Sequence, residues 1–321
     1  MDFELNADQQ AVLESVERLL EQRAGPARAI ALNKEGEYDT ALHEALAVAG
    51  FNQIARDLAQ GDRLAGLEAA LAVEAIARSG GVVAAAAQML VAAALYANPI
   101  EGPVAICTAR ELTDATPVRY AAHARSLLVL GDDYARRVAL QPGDFEGVRT
   151  SFGYPMGRRA SGVTIEPTTA GEALDSDAVD ELRNWWRLGL AVEAVGTMDA
   201  ALAHTVDYLS QRRQFGRAIG SFQAVQHRLS LCAIDVEASR WLAREAAFHG
   251  AQPEAVAAAA AFALQAADTL FTETHQLSGA IGFTCEFDLH VWSMRLLALR
   301  QELGGARGAR RALVEARWGA A

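Results

Sequence analysis

The stretch Arg212-Arg213-Gln214-Phe215-Gly216-Arg217-Ala218-Ile219-Gly220-Ser221-Phe222-Gln223-Ala224-Val225-Gln226-His227 joins two long helix-period patterns. One runs over about 177–213, and the other is capped by Ser221 and reaches about 249. Connections between bundled helices are ordinarily short and built from small polar residues. This one packs arginines, glutamine amides and two phenylalanines into a turn, which is more chemistry than a turn needs. Downstream, Pro253 suits the first turn of a third helix ending near 277. A glycine turn then leads to a fourth over about 286–302, and Gly304-Gly305 break the pattern before a short last helix. Four sizeable helices with short connections read as a bundle.

Upstream the chain changes texture twice. Residues 1–100 read as helical, with Asn6 as N-cap of a helix carrying Val12, Val16, Leu19 and Leu20 on one face. Gly25-Pro26 is expected to stop it, and further helices are expected at 39–49, 64–79 and 82–97. The last is alanine-dominated, contains Gln88 and falls short of the ~20 strongly apolar residues of a membrane span, so it reads as a buried helix. From 101 to 172 short apolar runs (104–107, 126–130, 137–140 and 161–165) alternate with Gly, Pro and Asp, the punctuation of strands and turns. The expectation is a mainly α chain with a small β domain, divided as 1–100, 101–172 and 173–321.

Composition narrows the function classes. The formal charge of −11 argues against a nucleic-acid backbone as partner. Cys107, Cys232 and Cys285 form no CxxC pair and the histidines no HExxH or His/Cys cluster, pointing to a reduced, metal-free cytoplasmic protein. Met1-Asp2-Phe3-Glu4 opens no basic-then-apolar signal pattern.

Read together, the segments resemble the acyl-CoA dehydrogenase family. The opening stretch resembles its flavin-contacting loop, RxxFGxxIxxFQ, and the N-terminus resembles its MDFELTEEQ opening. His275-Gln276-Leu277-Ser278-Gly279-Ala280-Ile281-Gly282 resembles its Q-x-x-G-G-x-G turn, with Ala280 at the second glycine. The resemblance implies an N-terminal helical domain, a middle β-barrel reduced here and a C-terminal four-helix bundle. It implies FAD held by Arg212, Phe215, Phe222 and Gln223, with Gln276, Gly279 and Gly282 contacting the FAD of a neighbouring subunit. The flavin pyrophosphate would meet a guanidinium and the free N–H groups of a helix start. The plainer alternative is that Arg212 and Arg213 complement the dipole of the helix they follow.

The family's base, a glutamate that removes the α-proton of an acyl-CoA thioester, sits at one of two places. In this sequence they fall on Gly304 and Trp186. Nearby carboxylates are Glu181, Glu193 and Glu302; Glu302, two residues before Gly304, is the best placed, and each reads first as an ordinary solvated or capping acid. Trp185-Trp186 would narrow or fill the acyl pocket. The resemblance is strongest to short subunits of heterotetrameric (α2β2) actinobacterial steroid side-chain acyl-CoA dehydrogenases. The expectation is therefore a FAD-dependent subunit whose related partner chain supplies the glutamate, with an acyl-CoA substrate and electron-transfer flavoprotein as acceptor. The alternatives are a self-sufficient homo-oligomer with a displaced base such as Glu302, and a silent assembly scaffold.

Overall fold

The computed structural model describes residues 4–54 and 65–319. Asn6 opens α1 (Ala7–Arg23) through a capping box with Gln9, as the sequence leads one to expect. Gly25-Pro26 ends α1, but Pro26 also takes the first position of α2 (Pro26–Glu35), a helix the sequence reading passed over. Asp39 caps α3 (Thr40–Val48), and α4 spans Ala65–Arg78. The expected helix over 82–97 is shorter. It contains a π-helical turn, Ala87–Ala92, running into Ala93–Leu95, and Gln88 within it donates to the Ile100 carbonyl at 2.8 Å.

Two small sheets follow. One has β1 (Val104–Thr108) parallel to β3 (Ser126–Leu130), then β4 (Ala135–Ala139) and β7 (Glu172–Ala173) antiparallel. The other orders β2 (Val118–Arg119), β6 (Met156–Arg159) and β5 (Phe145–Val148). Leu127 and Val129 of β3 face a core shared with Cys107, Leu112 and Phe145. Their neighbours Leu128 and Leu130 turn into the helical core. Both faces are covered, so the strand reads as an unbroken apolar run. The expected strand at 161–165 is instead a turn and coil.

The remaining chain is helical apart from a short hairpin: α5 (Ser176–Gln211), α6 (Gln223–Phe248), α7 (Pro253–Ser278), α8 (His290–Leu299) and α9 (Gly305–Trp318). The fourth bundle helix is thus shorter than its 286–302 pattern. α7 is apolar and long enough to cross a membrane by composition, yet it lies in the core of the bundle, with Val256, Leu264 and Leu270 fully covered. The bundle holds the N-terminal helices by close approach and charge. A Cβ at Gly196 would meet the Glu74 carbonyl oxygen at 2.2 Å, so α5 touches the α4 backbone there. Arg240 and Arg244 of α6 both reach the Glu74 carboxylate.

Candidate functional site

α5 ends at Arg212, whose backbone N–H still donates to the Tyr208 carbonyl. The next residues form a hairpin, β8 (Arg213–Gln214) with β9 (Arg217–Ala218). Phe215 and Gly216 at its tip both have positive φ, 54° and 82°. A two-residue hairpin of this hand needs that conformation twice, which glycine meets freely and phenylalanine only at a cost. Phe215 is held 91% exposed, its ring edge-on to Phe222 at 6.3 Å. The Arg217 guanidinium lies 3.9 Å over the Phe222 ring. Among the described residues the Arg212 and Arg213 side chains have no hydrogen-bond or ionic partner, and Gln223 is exposed at the first turn of α6. Ser221 does not cap that helix: its hydroxyl donates to the Ala218 carbonyl, and Phe222 is the N-cap.

The second turn lies at the same end of the bundle, because Arg228 near the start of α6 pairs with Glu273 near the end of α7 at 2.5 Å. Gly279 closes α7 at φ 67°, ψ −148°, a region open to glycine, and a Cβ there would touch nothing within 4 Å. Gly282 is buried, with room for a Cβ only 3.0 Å from that of Ser278. Gln276 is exposed on the last turn. Beside it His275 is buried between Phe271 and Phe283, and neither ring nitrogen makes a hydrogen bond of normal geometry. Burial pushes its pKa down, with the Gly282 backbone acting in the opposite sense.

The third cluster is one the sequence did not reveal as a unit. Arg119 of β2 donates to Glu193 on α5 at 2.9 Å and, through two nitrogens, to Glu302 in the turn before α9. Trp186 Nε1 donates to Glu302 Oε2 at 2.7 Å. The three charged side chains are only 12%, 6% and 15% exposed. The Tyr154 ring lies between Arg119 and the buried Arg295, with guanidinium carbons 4.9 and 4.8 Å from its centroid. Burial works against the Arg119 charge, but the Glu193 and Glu302 carboxylates outweigh it and raise its pKa. Glu193 is pushed up by burial, with Arg119 opposing. Backbone strain sits next to both ends of the pair: Tyr120 and Leu303 have φ 63° and 49°.

Glu302 is therefore no solvated acid. Its two oxygens accept from Arg119 and Trp186, and the space beside them, lined by Ala84, Ala87, Val104 and Trp186, is about 20 Å³. That volume holds about one water and no acyl chain. Glu181, the third carboxylate considered, is exposed on α5, where burial of part of its side chain raises its pKa. Gly304 takes a left-handed conformation at the start of α9.

Residues 177–318 match the family described as acyl-CoA dehydrogenase, C-terminal domain. Acyl-CoA dehydrogenase IpdE2 of Mycobacterium tuberculosis is 33% identical over 161 residues, 48% of this chain and 50% of that protein. The alignment thus spans half the length of that relative. Two solved structures match nearly end to end. The ChsE4–ChsE5 complex from M. tuberculosis does so with TM-score 0.79 and 20% identity over all of both chains. A Tcur3481–Tcur3483 steroid ACAD variant gives 0.76 and 24%, over 96% of this chain and 97% of the other. The chain has the acyl-CoA dehydrogenase fold. Within that fold, residues 177–318 are similar to the acyl-CoA dehydrogenase C-terminal domain.

The group this family implies is FAD, and the donor set fits it. Two unpaired guanidiniums stand beside the start of α6, where first-turn N–H groups lack intrahelical acceptors. The open side of Gly279 leaves room for close approach, and Gln223 and Gln276 offer exposed amides. The His275 nitrogens, which make no hydrogen bond of normal geometry, lie against the same turn, and buried polar atoms so poorly partnered are uncommon in a finished site.

Proposed function

We propose that this chain is a cytoplasmic FAD-binding subunit of an acyl-CoA dehydrogenase, and that its own acyl cavity does no proton abstraction. The observation that carries the reading is the engagement of Glu302. A general base needs a free lone pair within reach of the proton it takes, and this carboxylate is bound by Arg119 and by the Trp186 indole. Using it as a base would require breaking a buried ion pair and opening a cavity of about 20 Å³. This counts against the homo-oligomer with a displaced base.

The flavin-facing residues are free in the sense that matters. Arg212 would pair with pyrophosphate oxygens, Gln223 and the α6 N-terminus would add neutral donors, and Phe215 and Phe222 would shield the dinucleotide from water. Gln276, Gly279 and Gly282 would meet a flavin held mainly by a neighbouring chain. When bound, FAD supplies the hydride acceptor. A related subunit supplies the glutamate, an acyl-CoA is the substrate, and electron-transfer flavoprotein takes the electrons. A steroid side-chain thioester is the substrate class we favour, because the similar Tcur3481–Tcur3483 structure is that of a steroid ACAD. The chain's three domains would be 1–100, 101–172 and 173–321.

The test is an absorption spectrum in the flavin bands, for the chain alone and co-purified with an acyl-CoA dehydrogenase-like chain encoded nearby. We expect stoichiometric flavin and turnover only in the co-purified sample. Turnover by the chain alone sinks the heteromeric reading, and a colourless, inactive complex leaves the scaffold.

A further inference from the structure

A cavity of about 570 Å³ opens between α3 and the segments 99–103 and 123–125, sharing no lining residue with the Arg119 cavity or the two turns. Its size is that of a small-molecule site. Its polar wall is tied together by hydrogen bonds of its own. The Ala84 backbone N–H donates to Tyr38 Oη at 3.2 Å, and the same hydroxyl shares a hydrogen bond with His43 Nδ1 at 2.9 Å, to which it can turn its own proton. In that arrangement a neutral His43 carries its proton on Nε2. His123 Nε2 donates to the Gly36 carbonyl at 2.9 Å, which leaves its Nδ1 as an acceptor. The Tyr38 ring lies nearly parallel to that of His123, 25° apart with centroids at 6.2 Å, and so stands between the two imidazoles' hydrogen bonds.

Arg125 completes the set. Its stem packs over Gly102, where a Cβ would come within 2.5 Å of Arg125 Cγ, and its guanidinium has no partner among the described residues. The opposite walls are apolar: Ala47, Pro99, Ile100 and Pro103. Glu44 and Glu101 also line the space without pairing with Arg125, so they repel a polyanion more than a single charge.

We propose that this cavity binds a hydroxylated monocarboxylate with an apolar body. Arg125 takes the carboxylate, His43 Nε2–H donates to the hydroxyl oxygen, the hydroxyl proton goes to His123 Nδ1, and the apolar wall takes the carbon chain. The inference does not depend on flavin or on a partner chain.

Calorimetric titration of the purified full chain with 3-hydroxyoctanoate tests it. We expect saturable one-to-one binding at about millimolar strength. The exposed-site variant Arg125→Gln should weaken it about tenfold or more, as loss of a charge-assisted contact does. Octanoate should bind more weakly than the hydroxy acid, and adenosine diphosphate should not compete. Absence of saturation overturns the proposal. So does affinity unchanged in Arg125→Gln, which places the probe elsewhere, or equal binding of octanoate, which removes the histidine pair from the site.

Discussion

Arg119 is the residue whose removal should cost most. Arg119→Met leaves Glu193 and Glu302 buried with no cation between them, only 6% and 15% exposed. Removing one partner of a buried pair costs about 3–5 kcal/mol, because the remaining charge keeps its desolvation penalty. Here two carboxylates are stranded and only Trp186 Nε1 still donates to one of them, so the upper half of that range is expected. For 321 residues the unfolding entropy is roughly 0.7 kcal/mol per kelvin, and a loss of about 4 kcal/mol lowers Tm by about 6 °C. The assay is calorimetric or circular-dichroism melting, with urea unfolding to test whether the slope is unchanged. The same argument makes a second, less intuitive demand. Adding Glu193→Gln and Glu302→Gln to Arg119→Met removes the stranded charges and should recover at least half of the loss, since neutralising a whole buried ionic set is often nearly free. An Arg119→Met protein within about 1 kcal/mol of wild type, or a triple variant weaker than the single one, would refute this account of the cluster.

In the proposed heteromeric enzyme, Glu302→Gln should leave kcat within about twofold of wild type; a loss of about a hundredfold or more would make it the base. Trp186→Ala should cost about 3–5 kcal/mol in denaturant unfolding by emptying a buried aromatic site; a cost below about 1 kcal/mol would mean that the indole does not fill the pocket. Gly216→Ala forces an L side chain to φ 82° and should cost about 1 kcal/mol. Flavin absorbance per chain should fall with it, and unchanged loading would separate the hairpin tip from the flavin. His275 has its pKa lowered by burial, so the unfolded chain takes up a proton that the folded chain resists. Stability should then fall as pH drops below about 6.5. His275→Leu should flatten that slope in melts taken across the range; an unchanged slope would assign it to other groups.

What could be read in the sequence was what local chemistry determines. The Arg212–His227 stretch, the Gly279 turn and the long helices are written in residue types at fixed spacing, and they lie where the spacing put them, apart from a hairpin that the short connection concealed. The misreadings have local causes too. Gly25-Pro26 ends one helix and starts the next, because proline suits a first turn as well as it blocks an interior. Val163 and Ile165 look strand-like by type, but Gly162 at φ 85° turns the chain just before them.

The Arg119 cluster was illegible for a different reason: its partners lie 74 and 183 residues away, and its strand is two residues long. Nothing around Arg119 in the sequence marks it as different from the other arginines. The resemblance puts the expected base positions on Gly304 and Trp186, and from residue types alone that is equally compatible with an open pocket awaiting a displaced acid. Distance and volume separate the two cases. Trp186 and Glu302 meet at 2.7 Å, Arg119 neutralises the carboxylate, and about 20 Å³ remains. An acid serving as a displaced base would be expected at the wall of a cavity large enough for its substrate. Glu302 instead closes the cavity it would have to serve, and for that reason the proposed heteromeric reading looks to a partner subunit, rather than to a shifted residue in this chain, for its base.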